Sequence, residues 1–201
     1  MSKAVMLSIR PKWCEKIASG EKTIEVRKTR PKMNTPFKCY IYCTQASVKY
    51  QTICGCHVLN SDELYRHPEQ GIKHGDSIEL MLCENYTKDN FLNGKVIGEF
   101  TCDRIYELET KAHGSSYYVK NEDQPTTNFI ARQSCLDLKD MHDYLHAQTG
   151  YGWHITDLRI YDTPRELREF TGLRNTRFGA APYDITRPPQ SWCYVEAMDN
   201  G

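Results

Sequence analysis

Ser19-Gly20-Glu21-Lys22-Thr23-Ile24-Glu25-Val26-Arg27 reads as a helix stop, a turn and a strand. Glycine tolerates the left-handed conformation that ends a helix, so Ser19-Gly20 closes the segment before it. Upstream, Pro11 suits the first position of that helix. Trp13 and Ile17 lie four apart and form its buried side, with Lys12, Glu15 and Lys16 turned to water. Downstream, Lys22 to Thr29 alternates as a strand does. Ile24 and Val26 share one face, and Thr23, Glu25, Arg27 and Thr29 share the other. Glu25 and Arg27 therefore project side by side, roughly 6–7 Å apart along the chain. Strict parity puts Lys22 with the apolar pair, so the turn must re-aim Lys22 for it to join them.

An ammonium, a carboxylate and a guanidinium held together can bind a base edge and a phosphate at once. The same groups suit hydrolysis. Lys22 is then the candidate base or nucleophile, Glu25 moves a proton, and Arg27 neutralises a developing oxyanion. A ladder of surface ion pairs is the plainer alternative. Arg10, Lys12 and Trp13 follow the first strand and are expected at the same cleft mouth. Trp13 can stack a base, worth roughly 1–3 kcal/mol, or pack with Ile17 in the core. Thr23, on the Glu25 face, is a further candidate binding residue.

Elsewhere, Val5, Leu7 and Ile9 alternate with Met6, Ser8 and Arg10 in a first strand, and Phe37, Cys39, Ile41 and Cys43 mark a third. Residues 45–74 are polar and irregular, with a short helix expected near Asp62–Arg66. Gly75-Asp76 turns into a strand with Ile78, Leu80 and Leu82. Asn93-Gly94 signals a hairpin leading into a strand at Lys95–Tyr106, with Gly98 at a bulge or a bend. Residues 110–133 read as a loop. Ser134-Cys135-Leu136-Asp137 opens a helix with a Leu138, Met141 and Leu145 stripe, ended by Gly150-Tyr151-Gly152. A strand at Trp153–Tyr161 follows, then a short helix opened by Thr163-Pro164-Arg165-Glu166, with Leu167 and Phe170 inward. Residues 171–190 form a basic loop, and Trp192–Ala197 closes the chain as a strand. Seven or so short strands with three short helices and no regular βαβ alternation suggest one partly closed β-barrel decorated by helices.

The chain has 201 residues, 26 Lys/Arg and 26 Asp/Glu. A uniformly basic nucleic-acid coat is thereby excluded, but residues 1–38 hold ten Lys/Arg against three Glu. A basic patch on a neutral body points to a localised anionic partner; a solvated charged face is the alternative. No run of 18 apolar residues exists, so no membrane partner is expected. The N-terminus lacks an apolar export segment, so a cytoplasmic location is expected. The nine cysteines fit a reducing compartment, most of them as small core residues. Cys54-Gly55-Cys56-His57 with Cys39 and Cys43, or His142 with His146, are weak zinc candidates. Neither fits a known spacing, and no cofactor is expected. Arg174, Arg177 and Arg187 interleave with Phe178 and Tyr183, as single-stranded RNA binders do or as a charged loop does.

Gly20-x-Lys22-x-x-Glu25-x-Arg27, after Ser8-Ile9-Arg10-Pro11 and a short helix, resembles the G-x-K-x-x-E-x-R signature of the ASCH domain, a relative of the PUA domain. Gly94-Lys95-Val96-Ile97-Gly98-Glu99-Phe100 resembles the middle of bacterial and phage ASCH proteins, and Pro189-Gln190-Ser191-Trp192-Cys193-Tyr194-Val195 their closing strand. The resemblance implies an α+β fold: a PUA-like mixed β-barrel with short flanking helices, as a single domain over residues 1–201 with excursions near 45–74 and 110–150. It implies a cleft beside the signature that takes RNA or a nucleotide. Gln190, Ser191 and Trp192 border that cleft, and Gln190 and Ser191 could hydrogen-bond a base edge or simply cap a turn. One small bacterial group similar at the same turn is an amidohydrolase of acetylated cytidine, with a lysine aligned with Lys22 and a threonine where this chain has Glu25. Other relatives are linked to RNA cleavage. Binding of RNA or a modified nucleotide is the leading expectation, with a small hydrolase and a protein-interaction module as rivals. Protein partners are left open.

Overall fold

The computed structural model describes residues 2–45, 92–110, 116–120, 125–177 and 179–198, with the backbone of two short strands at 71–74 and 77–81. The zinc candidates Cys54, Cys56 and His57, the helix expected at Asp62–Arg66, the Gly75-Asp76 turn and Phe178 lie outside the described residues.

β1 (Lys3–Ile9) is followed by α1 (Pro11–Ala18), β2 (Ile24–Arg27) and β3 (Phe37–Cys43). β1 pairs in parallel with β3, Leu7 opposite Ile41. Both strands are apolar on two faces. Val5, Leu7 and Ile9 join Phe37, Cys39, Ile41 and Cys43 in one core, while Ala4 and Met6 join Tyr40 and Tyr42 in another. Full burial of each large aliphatic side chain contributes about 1.5–3 kcal/mol, so a strand buried on both sides anchors the sheet. Cys39 and Cys43 are core residues, as their shared face with Phe37 and Ile41 predicts.

β4 (Gly71–His74) and β5 (Ser77–Met81) form a separate two-stranded pair. The expected single strand at 95–106 is two. β6 (Val96–Cys102) and β7 (Ile105–Thr110) flank Asp103-Arg104 and belong to different sheets. Gly98 sits at the predicted bulge: Ile41 pairs with Gly98 but Tyr42 with Val96, leaving Ile97 over. A Cβ on Gly98 would stand 2.5 Å from the Arg159 carbonyl oxygen, so only glycine fits.

The stretch 110–133 is not wholly loop. It holds β8 (Tyr117–Val119) and α2 (Thr127–Gln133), whose N-cap Thr126 accepts from the Phe129 amide. α3 (Leu138–Leu145) is capped by Asp137, which accepts from the Asp140 amide, rather than by Ser134, which ends α2. Met141 and Leu145 are buried, but Leu138 is exposed. The helix ends at His146 in the left-handed region (φ 52°), so His146 leaves the face of His142. Gly150-Tyr151-Gly152 opens β9 (Gly150–His154) instead of stopping the helix, because a Cβ on Gly150 would meet Leu145 Cδ1 at 2.5 Å. A second break, at Ile155, separates β9 from β10 (Thr156–Arg165).

Thr163-Pro164 lies in β10 and opens no helix. β10 is an outermost strand and its register with β6 is interrupted between Ile160 and Arg165, so a proline there falls outside the regular ladder. The short turn that follows, Leu167–Glu169, is 3₁₀ and is capped by Glu166. Phe170 is buried as expected. The basic loop at 171–190 is mostly a hairpin of β11 (Thr171–Thr176) and β12 (Gly179–Asp184). β13 (Trp192–Glu196) is the expected closing strand and pairs antiparallel with β1, Leu7 opposite Trp192.

The larger sheet runs β10-β6-β3-β1-β13-β11-β12 and the smaller β2-β9-β7-β8. The class is α+β, as expected, and the two sheets are not closed into a barrel. A third core of Ile24, Val26, Tyr106, Leu108, Tyr117, Ile130, Met141 and Leu145 lies between the smaller sheet and the two helices. That core takes one face of β2, so the Glu25–Arg27 face must turn toward the larger sheet. Among the described residues no helix is long and apolar enough to cross a membrane.

Candidate functional site

Gly20 adopts φ 78°, a left-handed conformation that lets α1 stop. The Lys22 amide then donates to the Lys16 carbonyl at 2.8 Å. β2 starts two residues later, at Ile24, so Lys22 is free of strand parity. Its Nζ donates to the Ser134 carbonyl at 2.7 Å, lies 3.2 Å from Glu25 Oε2 and sits 5.1 Å from the Trp13 ring centroid. The turn re-aims Lys22, as the chemistry requires.

Glu25 Oε1 accepts the Arg27 Nη2 contact at 3.0 Å. Arg27 Nη2 also donates to the Ser8 carbonyl at 2.8 Å, and Nη1 reaches Ser191 Oγ at 3.4 Å. Ser8 in turn donates its hydroxyl to the Pro189 carbonyl at 2.6 Å and its amide to the Ser191 carbonyl at 2.9 Å. Arg27 thus ties the edge of the smaller sheet to β1 and to the segment before β13. Lys22, Glu25 and Arg27 are only 2%, 6% and 7% exposed. They converge in one buried cluster, so they are not a surface ladder.

Two cations share one carboxylate here, and backbone carbonyls take part of the excess. Burying charge is costly unless each group is paired. Glu25 Oε2 faces Lys22 in an ion pair without hydrogen-bond geometry, and Arg27 Nε has no hydrogen-bond partner. A buried polar atom left unpaired costs about 1–3 kcal/mol, so such atoms in a native fold call for an explanation.

The remaining candidates divide. Trp13 is half-buried, packs against the main core and roofs Lys22, with Lys12 Nζ 4.6 Å from its ring centroid on an exposed side chain. The core reading of Trp13 therefore holds in part. Ser191 touches the cluster through Arg27, whereas Gln190 and Arg10 are exposed and stand outside its hydrogen bonds and ion pairs. Thr23 is committed elsewhere: its hydroxyl donates to Gln133 Oε1, its amide to the Gln133 carbonyl, and its carbonyl accepts from Ile155. The Trp192 indole N–H donates to Thr29 Oγ1 at 2.9 Å, and its ring packs on Trp153 and Tyr194. Among the described residues no group of three or more His, Cys, Asp or Glu gathers as a metal site.

Three participants carried no signal of their own in the sequence. Ser8 and Ser134 contribute through backbone carbonyls. Tyr144 on α3 holds Lys28 Nζ 5.2 Å from its ring centroid. Burial pushes its phenol up, with Arg27 and Arg10 pulling down and Glu25 pushing up, which places it in the field of the cluster. Cys14 lies against the same cluster. Burial first, then contact with Cys43, pushes its thiol well up, so it is an unreactive core group.

The ASCH domain family model matches residues 7–90. Residues 7–90 are thus similar to the ASCH domain. The G-x-K-x-x-E-x-R signature falls within the matched residues, while Gly94–Phe100 and Pro189–Val195 lie beyond them. No curated protein matches the chain. Among solved structures, the ASCH protein from Zymomonas mobilis is similar at 14% identity and a TM-score of 0.45, over 96% of this chain and 87% of that one. A tyrosine-to-phenylalanine mutant of that Zymomonas protein is similar at 15% identity and a TM-score of 0.46, over 97% of this chain and 91% of the mutant. Its serine-to-alanine mutant gives 14% identity and a TM-score of 0.45, over 96% of this chain and 88% of the mutant. The ASCH domain is linked to RNA binding as a family, a coarse assignment to nucleic-acid binding.

Proposed function

We propose that this protein binds RNA or a modified nucleotide at the Lys22–Glu25–Arg27 cluster, as a single ASCH/PUA-like domain over residues 1–201 in the cytoplasm. One observation carries the reading. A buried carboxylate lies between an ammonium at 3.2 Å and a guanidinium at 3.0 Å, with Glu25 Oε2 and Arg27 Nε lacking hydrogen-bond partners. A nucleobase edge supplies donors and acceptors for such atoms, and a phosphate balances the second cation. On this reading Trp13, whose ring lies over Lys22, would stack a base, Ser191, which Arg27 reaches, would meet its edge, and the exposed Gln190, Arg10 and Lys12 would meet the ligand from outside the cluster.

A hydrolytic role for Lys22 and Glu25 is the second reading, supported by their pairing. It is the weaker one, because Nζ is already engaged by the Ser134 carbonyl, Glu25 and the Trp13 face. Electrophoretic mobility shift with short single-stranded RNAs at two salt concentrations tests both readings. Binding is expected to weaken with salt and to fall at least tenfold in Arg27→Met. No shift by the unaltered protein would defeat the binding reading. Recovered RNA that runs shortened on a denaturing gel, and intact after Lys22→Ala, would move the assignment to the hydrolase.

A further inference from the structure

We propose that a groove running on from the cluster takes the sugar-phosphate backbone of a single-stranded RNA, so that the ligand is a strand and not a free nucleoside or nucleotide. The proposal deepens the RNA-binding reading above and rests on it for the class of ligand. The groove has a volume of about 550 Å³ and is lined by Lys28, Arg30, Lys32, Met33, Asn34 and Tyr151, among others. Lys28 follows Arg27 directly, and Tyr151 is the residue opposite Arg27 in the β2–β9 pairing. The hollow therefore begins where the buried cluster ends.

Its chemistry is one-sided. Lys28, Arg30 and Lys32 are exposed, and among the described residues no carboxylate lines the groove. None of the three forms an ion pair with a carboxylate among the described residues. In a chain with as many acids as bases, that concentration of cations makes a locally positive surface that attracts an anion. The strap that carries them is fixed rather than loose. Thr29 Oγ1 accepts the Trp192 indole N–H at 2.9 Å, and the Lys32 amide donates to the Tyr194 hydroxyl at 2.8 Å. Anchored twice to β13, the strap presents its charged side chains outward at little further ordering cost.

Aromatic faces alternate with the cations. Arg30 Cζ lies 5.9 Å from the Tyr151 ring centroid, and Lys28 Nζ lies 5.2 Å from that of Tyr144. Cations for phosphates beside rings for bases are what a single strand uses, because every base has a face to stack. An acidic peptide would use the cations but not the rings.

The test compares a labelled eight-nucleotide RNA of mixed sequence with the four ribonucleoside 5′-monophosphates on the full chain. The variant is Lys28→Gln/Arg30→Gln/Lys32→Gln. All three side chains are exposed, and an unchanged melting temperature checks the fold. The octanucleotide is expected to lose at least tenfold in affinity. Its log K against log salt slope should become shallower by about 2, from three phosphate contacts on a single strand. The monophosphates should lose less than twofold. The charge-conserving single variant Arg30→Lys should keep most of the octanucleotide affinity. Unchanged octanucleotide affinity or slope in the triple variant overturns the proposal, as does failure of the unaltered protein to bind the octanucleotide. Tighter capture of a poly-glutamate peptide than of RNA overturns it in favour of an acidic protein. If the triple variant loses the octanucleotide while no monophosphate binds and Arg27→Met is silent, the groove stands and the cluster reading fails.

Discussion

Glu25 is the member of the cluster that the others depend on. Its two carboxylate oxygens each face one cation, at 3.2 Å and 3.0 Å. Glu25→Ala leaves Lys22 and Arg27 buried together with no carboxylate, and breaking a buried pair in this way costs about 3–5 kcal/mol. Urea unfolding should show that loss, and a drop below about 1 kcal/mol would mean that water reaches the cluster freely. The identity of the three side chains was legible in the sequence, since an acid and a guanidinium two apart on a strand must share a face. The burial of that face was not. It follows from where β2 lies, between the third core and the larger sheet. The Ser8 and Ser134 carbonyls were invisible for a different reason: any residue supplies a carbonyl, so no residue type marks the position.

At the scale of elements, the Gly98 bulge shows how a strand is bent to order. The Arg159 carbonyl fills the space a side chain would need. Gly98→Ala should therefore destabilise by about 1–3 kcal/mol, read as a lowered denaturation midpoint, and an unchanged midpoint would show that β10 can retreat. The turn at Asn93-Gly94, with Gly94 at φ 82°, and the glycine at the bulge were readable because each encodes a local backbone need, but the turn opens no hairpin among the described residues, since β6 pairs with β3 and β10. The strands with two buried faces were readable as strands, but their second core was not, since Met6, Tyr40 and Tyr42 look equally at home facing water or a core. Where sequence and structure part, the causes are local. Glycines at 150 and 152 have the composition of a helix stop but serve close packing, and Pro164 has the setting of a helix start in an outer strand that tolerates it. The β11–β12 hairpin is hidden by its polar, exposed surface.

At the scale of the whole molecule, buried thiols couple stability to alkaline pH. Burial raises the Cys14 and Cys39 thiols well above their usual range and pushes Cys102 up to about 12. Above the ordinary thiol value of 9.0 the unfolded chain has lost these protons while the native chain keeps them. Stability is then complete below that value and declines as pH rises toward the native one, at about 1.4 kcal/mol per pH unit for each such thiol. Urea midpoints should be lower at pH 10 than at pH 8, with a smaller decline in Cys102→Ala; equal midpoints would contradict it. The arrangement of β1 has a consequence in time as well. It pairs with β3 on one side and with β13 on the other, Leu7 meeting both Ile41 and Trp192. A nascent chain leaving the ribosome must hold β1 half-paired until β13 emerges, so the larger sheet is completed late in synthesis.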